Sequence, residues 1–280
     1  NISFLDSYFE AISGFTSTGF TIFDNIKHID QSLILWRSTS QWIGGLYFLF
    51  SIILLIDIFD NNLKKSLSNF LSFNSHEVVK QSFKIFIVYT GLTFIIFLIL
   101  NFINIRSFDS FNLAMTLISS GGFLPVNNLS VILNNELKEV VFSLTMLVSF
   151  FSIFLSYNLV FMYKKNINFF QEDIYLSIYF LSLLIIFFIF FNSEYNFSLI
   201  FLSLTSSISN IGFVVDGAPE NLSFIFLILT IIGGSFFSTS SGLRFLKLYV
   251  LFKFSLNDLI SHVKPKNIFN QKHFFSNLSY

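Results

Sequence analysis

The chain has no cysteine among its 280 residues, which excludes disulfide bonds, thiolate metal sites and cysteine nucleophiles. Charge is also scarce, because Asp, Glu, Lys and Arg make up 11% of the residues and the formal net charge is zero. Soluble domains carry about twice that share of charged residues. A neutral chain without a basic tail also argues against a nucleic-acid partner. The four histidines are far apart in the sequence and match no metal-ligand spacing.

Long apolar stretches take the place of charge. Hydrophobic residues make up 54% of the chain, and a helix needs about 20 apolar residues to cross a bilayer. Stretches of this length occupy residues 36–57, 82–104, 139–163, 174–192 and 222–251, the last interrupted by polar and glycine residues. We therefore predict an all-α polytopic membrane protein.

Three shorter apolar segments between these stretches repeat one pattern. They read FLDSYFEAISGFTSTGF (4–20), SFDSFNLAMTLISSGGF (107–123) and FSLIFLSLTSSISNIGF (197–213). When they are aligned on Gly19, Gly122 and Gly212, a phenylalanine follows each glycine and an aromatic residue stands eleven positions before it. Each segment is too short to cross the bilayer and leads into a full span. This indicates an internal repeat of span, half-helix, glycine turn and span.

A half-helix of this kind has a specific chemical consequence. A helix that ends inside a bilayer leaves up to four backbone carbonyls without partners at its C-terminus, and it is tolerated only within protein or beside a water-filled cavity. Those carbonyls favour a cation, and a glycine lets the following backbone turn its carbonyls toward one axis, as in a potassium filter. The repeat therefore predicts repeated helix–pore loop–helix units around a central pore. The alternative is that the segments are re-entrant or interfacial pieces whose small residues allow close packing.

The basic residues predict the orientation. The side that carries the glycine turns has four of the sixteen Lys and Arg residues, namely Lys27, Arg37, Arg106 and Lys138. The opposite side carries the rest, so the positive-inside rule places that side in the cytoplasm and the glycine turns outward. Arg37 lies near the start of a span, where we expect its side chain to snorkel to the interface.

Two glycine pairs lie within the spans. We predict that Gly44 and Gly45 allow two helices to pack closely. Gly233 and Gly234 adjoin a Ser-Thr-Ser-Ser run, which predicts a break in the last span.

These residues resemble the Trk/Ktr/HKT superfamily of potassium transporters, and most closely its TrkH-like membrane subunits. SYFEAISGFTSTGF resembles the first pore loop of that family, and SGGF resembles the second. LWRSTSQWIGG (35–45) is similar to the stretch that opens the helix after the first loop. IGGSFFSTSSGLRFLKLYVLFK (232–253) resembles the second helix of the third repeat. The resemblance covers nearly the whole chain apart from 60–80.

The resemblance implies a set of functional residues. In that family four repeats surround one pore, and a glycine of each loop lines the selectivity filter. The filter residues carried over by position are Thr16, Ser17, Thr18, Gly19, Ser119, Ser120, Gly121, Gly122, Ser209, Asn210, Ile211 and Gly212. The intramembrane gating loop carried over in the same way comprises Gly233, Gly234, Ser238, Thr239, Ser240, Ser241 and Gly242. Glycine rather than serine at position 19 implies selectivity for potassium over sodium.

The resemblance also implies a division of the chain. It assigns 1–59 to the pore loop and second helix of repeat one, 60–81 to a cytoplasmic link, 82–165 to repeat two, 166–255 to repeat three with a broken last helix, and 256–280 to a cytoplasmic segment. The family's first outer helix and fourth pore loop have no counterpart here, so we expect a fragment or a protein completed by a second chain. The third loop departs from the family pattern, with Asn210 and Ile211 where threonine is usual.

The predicted function is potassium uptake by the translocating subunit of a Trk-type system in the bacterial cytoplasmic membrane. Potassium is the transported ion, no cofactor is expected, and the sequence has no nucleophile–base pair or phosphate loop that predicts an enzyme. The resemblance implies a homodimer that works with a cytoplasmic nucleotide-binding regulatory subunit.

Two alternatives remain open at the level of the sequence. A sodium- or proton-coupled cation transporter would need an intramembrane carboxylate, for which Glu10 is the nearest candidate. The other alternative is a non-transporting membrane scaffold, such as a decayed paralogue.

Overall fold

The computed structural model describes residues 3–59, 78–153, 171–191, 196–213, 222–235 and 237–263. Most of the predicted cytoplasmic link at 60–81, the end of the predicted span at 139–163 and residues 264–280 lie outside this range. The described residues form α1 (Phe4–Phe15), α2 (Gln31–Phe59), α3 (Val78–Phe102), α4 (Ser107–Ile118), α5 (Glu136–Phe150), α6 (Gln171–Phe191), α7 (Phe197–Ile208), α8 (Ser223–Ile231), β1 (Ile232–Gly233), β2 (Leu243–Arg244) and α9 (Phe245–Val263). Short 3-10 helices span Ile26–His28 and Leu129–Val131.

The repeat predicted from the sequence appears in the order of the helices. The three short segments form α1, α4 and α7, each of 12 residues, and each precedes a non-helical stretch and a further helix. Twelve residues make a helix about 18 Å long, roughly half the thickness of the hydrocarbon core of a bilayer. The short helices are therefore too short to cross a membrane.

The surface of the longer helices is apolar. Within the described part of the chain, Ser82–Phe102 in α3 and Asp173–Phe190 in α6 are long and apolar enough to cross a bilayer. Large side chains on these helices face outward, with Phe94 59% and Ile189 71% exposed. Such exposure is costly in water and is ordinary against lipid, and the architecture is that of an all-α membrane protein.

The core lies between α2, α3, α4, α5 and α7. Most of α4 and α7 is buried, whereas α1 buries only Glu10, Ser13 and Gly14. Helix α4 packs against α2 and α3, and α5 packs against α7. The first short helix therefore has an open side that the other two lack.

The glycine pair in α2 allows the close packing that the sequence predicts. A Cβ atom on Gly44 would collide with the backbone of Phe15 at the end of α1. On Gly45 it would lie 2.9 Å from the Cβ of Ser119, just beyond the end of α4. Helix α2 thus packs directly against the ends of two short helices.

The last predicted span is divided as the sequence predicts. Helix α8 ends at Ile231 and α9 begins at Phe245. Between them β1 and β2 pair in parallel, Ile232 opposite Leu243 and Gly233 opposite Arg244. We call residues 232–244 the intramembrane loop.

The prediction of one uninterrupted helix over 139–163 is wrong. Helix α5 ends at Phe150, and Phe151 has an extended backbone. The intramembrane loop causes this end, because the N–H of Ser235 donates to the carbonyl of Phe150 (3.0 Å) and the N–H of Ser240 donates to that of Ser149 (3.2 Å).

Candidate functional site

Each short helix ends in the same backbone motif. After α1, the N–H of Ser17 donates to the carbonyl of Gly14 (2.9 Å) and the N–H of Thr18 donates to that of Ser13 (3.0 Å). This pair of bonds is a Schellman motif, which ends a helix sharply and satisfies its last carbonyls. The bond of this pair that spans five residues recurs after α4 and α7. There the N–H of Gly121 donates to the carbonyl of Thr116 (2.9 Å) and the N–H of Ile211 donates to that of Ser206 (3.2 Å).

Two residues in each loop have a left-handed backbone. The first has φ of 52° at Ser17, 52° at Ser120 and 58° at Asn210. The second is the repeated glycine, with φ of 80° at Gly19, 85° at Gly122 and 74° at Gly212. Because a side chain at such φ values is strained, the glycines keep the three loops in one conformation.

The three glycine loops meet side by side. A Cβ atom on Gly19 would collide with the carbonyl oxygen of Gly121, and one on Gly122 would lie 2.7 Å from the carbonyl oxygen of Ile211. The corresponding direction from Gly212 meets no atom of the described residues within 4 Å. The loops therefore form consecutive walls of a ring, and the ring is open beyond Gly212.

The first residue of each loop carries a hydroxyl group that hydrogen-bonds to the end of the preceding helix. The residues Thr16, Ser119 and Ser209 each donate a side-chain hydrogen bond to a carbonyl four positions earlier, at 2.8, 2.9 and 2.6 Å. These bonds satisfy carbonyls that a helix end leaves without partners. The family resemblance assigns these residues to the filter walls. In the structure their side-chain hydroxyls bond to the last turn of each helix.

Gln41 is a site residue for which the sequence predicted no role. Its side chain is fully buried in α2, its Nε2 donates to the carbonyl of Gly121 (2.5 Å) and its Oε1 accepts from the N–H of Phe123 (3.3 Å). The two bonds bracket Gly122. The signal in the sequence was its place within the family-like stretch LWRSTSQWIGG.

The prediction that Arg37 snorkels to the interface is wrong. The side chain is 1% exposed, and its Nε lies 2.7 Å from Oε1 of Glu10. Glu10 also accepts hydrogen bonds from the hydroxyl of Thr21 (3.0 Å) and the N–H of Ile22 (3.1 Å). The guanidinium lies over the ring of Phe123, 4.2 Å from its centre. The ion pair therefore supports the backbone that follows the first loop.

Two cavities border the glycine loops, and we name them outer and inner after the orientation predicted from the sequence. The outer one, about 130 Å³, is lined by Gly19 and Gly122 together with Thr21, Asp24 and Asn127. The inner one, about 460 Å³, is lined by the ends of α1 and α4 and by the intramembrane loop. The residues that carry hydroxyls around the inner cavity are Thr16, Ser17, Tyr47, Ser51, Ser119, Ser120, Thr239, Ser240 and Ser241.

The intramembrane loop is tied to two of the three walls. The hydroxyl of Thr239 donates to the carbonyl of Ile118, the last residue of α4 (2.7 Å). The side-chain amide of Asn210 donates to the carbonyl of Ser241 (3.2 Å). Inside the loop, the Ser240 hydroxyl accepts from the N–H of Gly234 (2.9 Å).

The side chain of Arg244 also hydrogen-bonds to the intramembrane loop. Its Nη1 donates to the carbonyls of Ser235 (3.2 Å) and Ser240 (2.8 Å) and to the hydroxyl of Ser238 (3.1 Å). The predicted gating residues therefore lie together in one hydrogen-bonded unit at the inner end of the inner cavity.

No family profile matches the chain, but individual proteins are similar to it along almost its whole length. It is 26% identical to an uncharacterized cation transporter of Methanocaldococcus jannaschii over 97% of this chain and 57% of that protein. It is 21% identical to the Trk system potassium uptake protein TrkH of Escherichia coli over 97% of this chain and 60% of the relative. For TrkG of the same organism the identity is 23%, over 94% of this chain and 58% of the relative. The chain thus spans less than two thirds of the length of these relatives.

The crystal structure of the potassium transporter TrkH from Vibrio parahaemolyticus has a similar fold. It matches with a TM-score of 0.78 at 18% sequence identity, covering 94% of this chain and 57% of that one.

Proposed function

Because the chain is a TrkH-like member of the Trk superfamily, we propose that it forms most of the translocating subunit of a potassium uptake system. The observation that carries the proposal is the meeting of three in-register glycine loops, each at the end of a 12-residue helix. The choice of potassium as the ion rests on the relatives that are named as potassium uptake proteins.

In this proposal the glycine loops are three walls of a selectivity filter. The left-handed glycine of each loop directs backbone carbonyls toward a common axis. Rings of carbonyls replace the hydration shell of a monovalent cation. The lack of a side chain at Gly19 and Gly122 then lets the three walls lie close enough for one ion to touch all of them.

The helix ends add an electrostatic contribution. The C-termini of α1 and α4 line the inner cavity of about 460 Å³, and a helix C-terminus carries a partial negative charge. A hydroxyl-lined cavity below that charge stabilises a cation that has left the filter. Anions are disfavoured at the same place.

A fourth wall completes the filter beyond Gly212. The ring of loops is open there among the described residues, and α1 exposes Phe4 (87%), Leu5 (75%) and Tyr8 (60%) on its uncovered side. Both openings border the gap between the first and third walls. We propose that a further glycine loop of the complete protein, or of a second chain, packs in this gap.

The intramembrane loop is the proposed gate. It closes the inner cavity and is fastened to the filter through Thr239 and Asn210. Glycine at 233, 234 and 242 gives the loop hinge points, while its serine hydroxyls hold the conformation described here. Movement of the loop would open the cavity toward the cytoplasm.

The family resemblance also supports proposals about oligomeric assembly and cellular location. We propose a multi-pass protein of the bacterial cytoplasmic membrane, with the filter facing outward, that forms homodimers and contacts a cytoplasmic nucleotide-binding regulatory subunit. Potassium is its cargo and no cofactor is required.

The position of Glu10 favours passive conduction over ion coupling. A coupled transporter would use an intramembrane carboxylate to bind and release sodium or a proton. Glu10 is instead 3% exposed, paired with Arg37 and hydrogen-bonded to Thr21 and Ile22. A carboxylate with these partners is a structural support.

Rubidium uptake tests the proposal. The complete gene product is reconstituted in proteoliposomes and compared with Gly122→Ala, since an alanine there has φ of +85° and a Cβ atom 2.7 Å from the carbonyl oxygen of Ile211. Gly91→Ala is the matched control, because Gly91 lies within α3 and its Cβ would meet no atom of the described residues within 4 Å.

We expect uptake by the wild type that potassium competes and excess sodium does not, with loss of at least about tenfold in Gly122→Ala and none in Gly91→Ala. Absence of uptake by the folded wild-type protein would contradict the proposal and leave the membrane scaffold as the better account.

A further inference from the structure

The three walls differ in how the residue after each glycine is anchored. In the first wall the hydroxyl of Ser13 donates to the carbonyl of Phe20 (2.5 Å). In the third wall Ser206 donates to the carbonyl of Phe213 in the same way (3.1 Å). The corresponding residue of the second wall is Thr116, which is fully buried and whose hydroxyl has no hydrogen-bond partner among the described residues. The second wall therefore lacks the anchor that its own helix supplies in the other two.

Gln41 supplies an anchor for the second wall from a different repeat. Its amide donates to the carbonyl of Gly121 on one side of Gly122 and accepts from the N–H of Phe123 on the other. The backbone carbonyl of Gln41 also accepts from the hydroxyl of Ser17 in the first wall (3.4 Å). One fully buried residue thus joins two adjacent walls.

The sequence of the second loop is fitted to this side chain. A Cβ atom on Gly121 would collide with the side-chain amide of Gln41. The first and third walls have Thr18 and Ile211 at the matching position, so of the three walls the second alone has glycine there. Glycine at 121 is therefore what lets Gln41 reach the wall.

We infer that Gln41 is a positioning residue that sets the preference of the filter for potassium over sodium by holding the second wall. The inference rests on the proposed function of the loops as a selectivity filter. It goes beyond that function because it assigns discrimination between ions to a side chain outside the loops.

The physical argument concerns the carbonyl of Gly121. Sodium is the smaller ion and is bound well only if the carbonyls move closer to it than potassium requires. A carbonyl that accepts a hydrogen bond from a buried amide is restrained and shares its electron density with the donor, which lowers its field strength toward an ion. Both effects disfavour sodium more than potassium.

The test measures ion preference separately from flux. The complete gene product takes up radioactive rubidium in proteoliposomes while external sodium is raised. Gln41→Met removes the donor and the acceptor, whereas Gln41→Glu is nearly isosteric and exchanges the amide donor to Gly121 for a carboxyl oxygen that also adds a negative charge. Gln31→Met and Gln31→Glu are matched controls, because Gln31 lies exposed at the start of the same helix.

We expect the sodium concentration that halves rubidium uptake to fall by about tenfold in both Gln41 variants and to be unchanged in both Gln31 variants. Size-exclusion profiles in detergent establish folding, and Gln41→Glu decides the outcome if Gln41→Met does not fold. Variants that lower rubidium flux and leave the effect of sodium unchanged would overturn the inference, because they show a structural role alone. Failure of the wild type to take up rubidium would instead contradict the proposed function itself.

Discussion

At the residue scale, the buried ion pair of Glu10 and Arg37 supports the first loop. Both side chains are almost fully buried and lie 2.7 Å apart, and the carboxylate also receives the N–H of Ile22. Removing one partner of such a pair leaves a charge without compensation, which costs more than the pair contributes. The pair therefore fixes the backbone beyond Gly19.

We predict that Arg37→Met lowers the free energy of unfolding by about 3 kcal/mol, measured by thermal unfolding in detergent. The double variant Glu10→Gln with Arg37→Met recovers most of this loss, because the remaining group is neutral. Arg106→Met is the control on an exposed arginine, with an expected change within about 0.5 kcal/mol. Equal stability of Arg37→Met and the wild type would contradict the prediction.

The sequence could identify the loop glycines but not this pair. The glycines stand in a repeat that alignment reveals. Arg37 and Glu10 are 27 residues apart, and nothing in their local patterns places one opposite the other. Proximity of that kind follows from the packing of α1 on α2, which a single sequence does not encode in any short window. The same reason explains why the role of Gln41 was missed, since its partners are 80 and 82 residues away.

At the element scale, two helices end where the intramembrane loop enters the core. Helix α8 ends at Ile231, just before the pair Gly233 and Gly234 from which the sequence predicts this end. Helix α5 ends at Phe150 within an apolar run that continues for several residues. Its end could not be predicted because the donors that take its carbonyls come from Ser235 and Ser240, in a different repeat.

The hydrogen bonds that join the intramembrane loop to the filter walls predict that weakening one of them changes the ion flux. Thr239→Val keeps the shape of the side chain and removes its hydrogen bond to Ile118, which costs the loop about 1 kcal/mol. We expect rubidium flux to rise about fivefold, with the effect of sodium unchanged, in the uptake assay described above. Thr90→Val is the matched control, since the Thr90 hydroxyl donates to the carbonyl of Phe86 within its own helix. Unchanged or lower flux in Thr239→Val would show that the bond does not restrain the gate.

At the scale of the whole molecule, the charge distribution and the repeat predict one orientation. The topology predicted from the sequence puts most basic residues on the side opposite the glycine loops, and the positive-inside rule then predicts a cytoplasmic position for α9. Fold class, repeat and family resemblance were all predictable from the sequence, because each depends on composition or on a period along the chain. The open side of the loop ring was visible only in three dimensions.

The absence of cysteine makes the orientation directly measurable. Val131, 66% exposed beyond the second loop, and Ser255, exposed on α9, are replaced one at a time by cysteine. We expect a membrane-impermeant maleimide to label Val131→Cys in intact cells and to label Ser255→Cys only after permeabilisation. The opposite pattern would place the glycine loops in the cytoplasm and contradict the orientation.

The most direct test of the central claim is anomalous diffraction from crystals of the complete gene product grown with rubidium. The account predicts an anomalous peak on the axis between the loops of Gly19, Gly122 and Gly212, and loss of that peak in Gly122→Ala. Well-diffracting wild-type crystals with no peak at the loops, or with rubidium bound only elsewhere, would contradict the claim that these loops are walls of an ion filter.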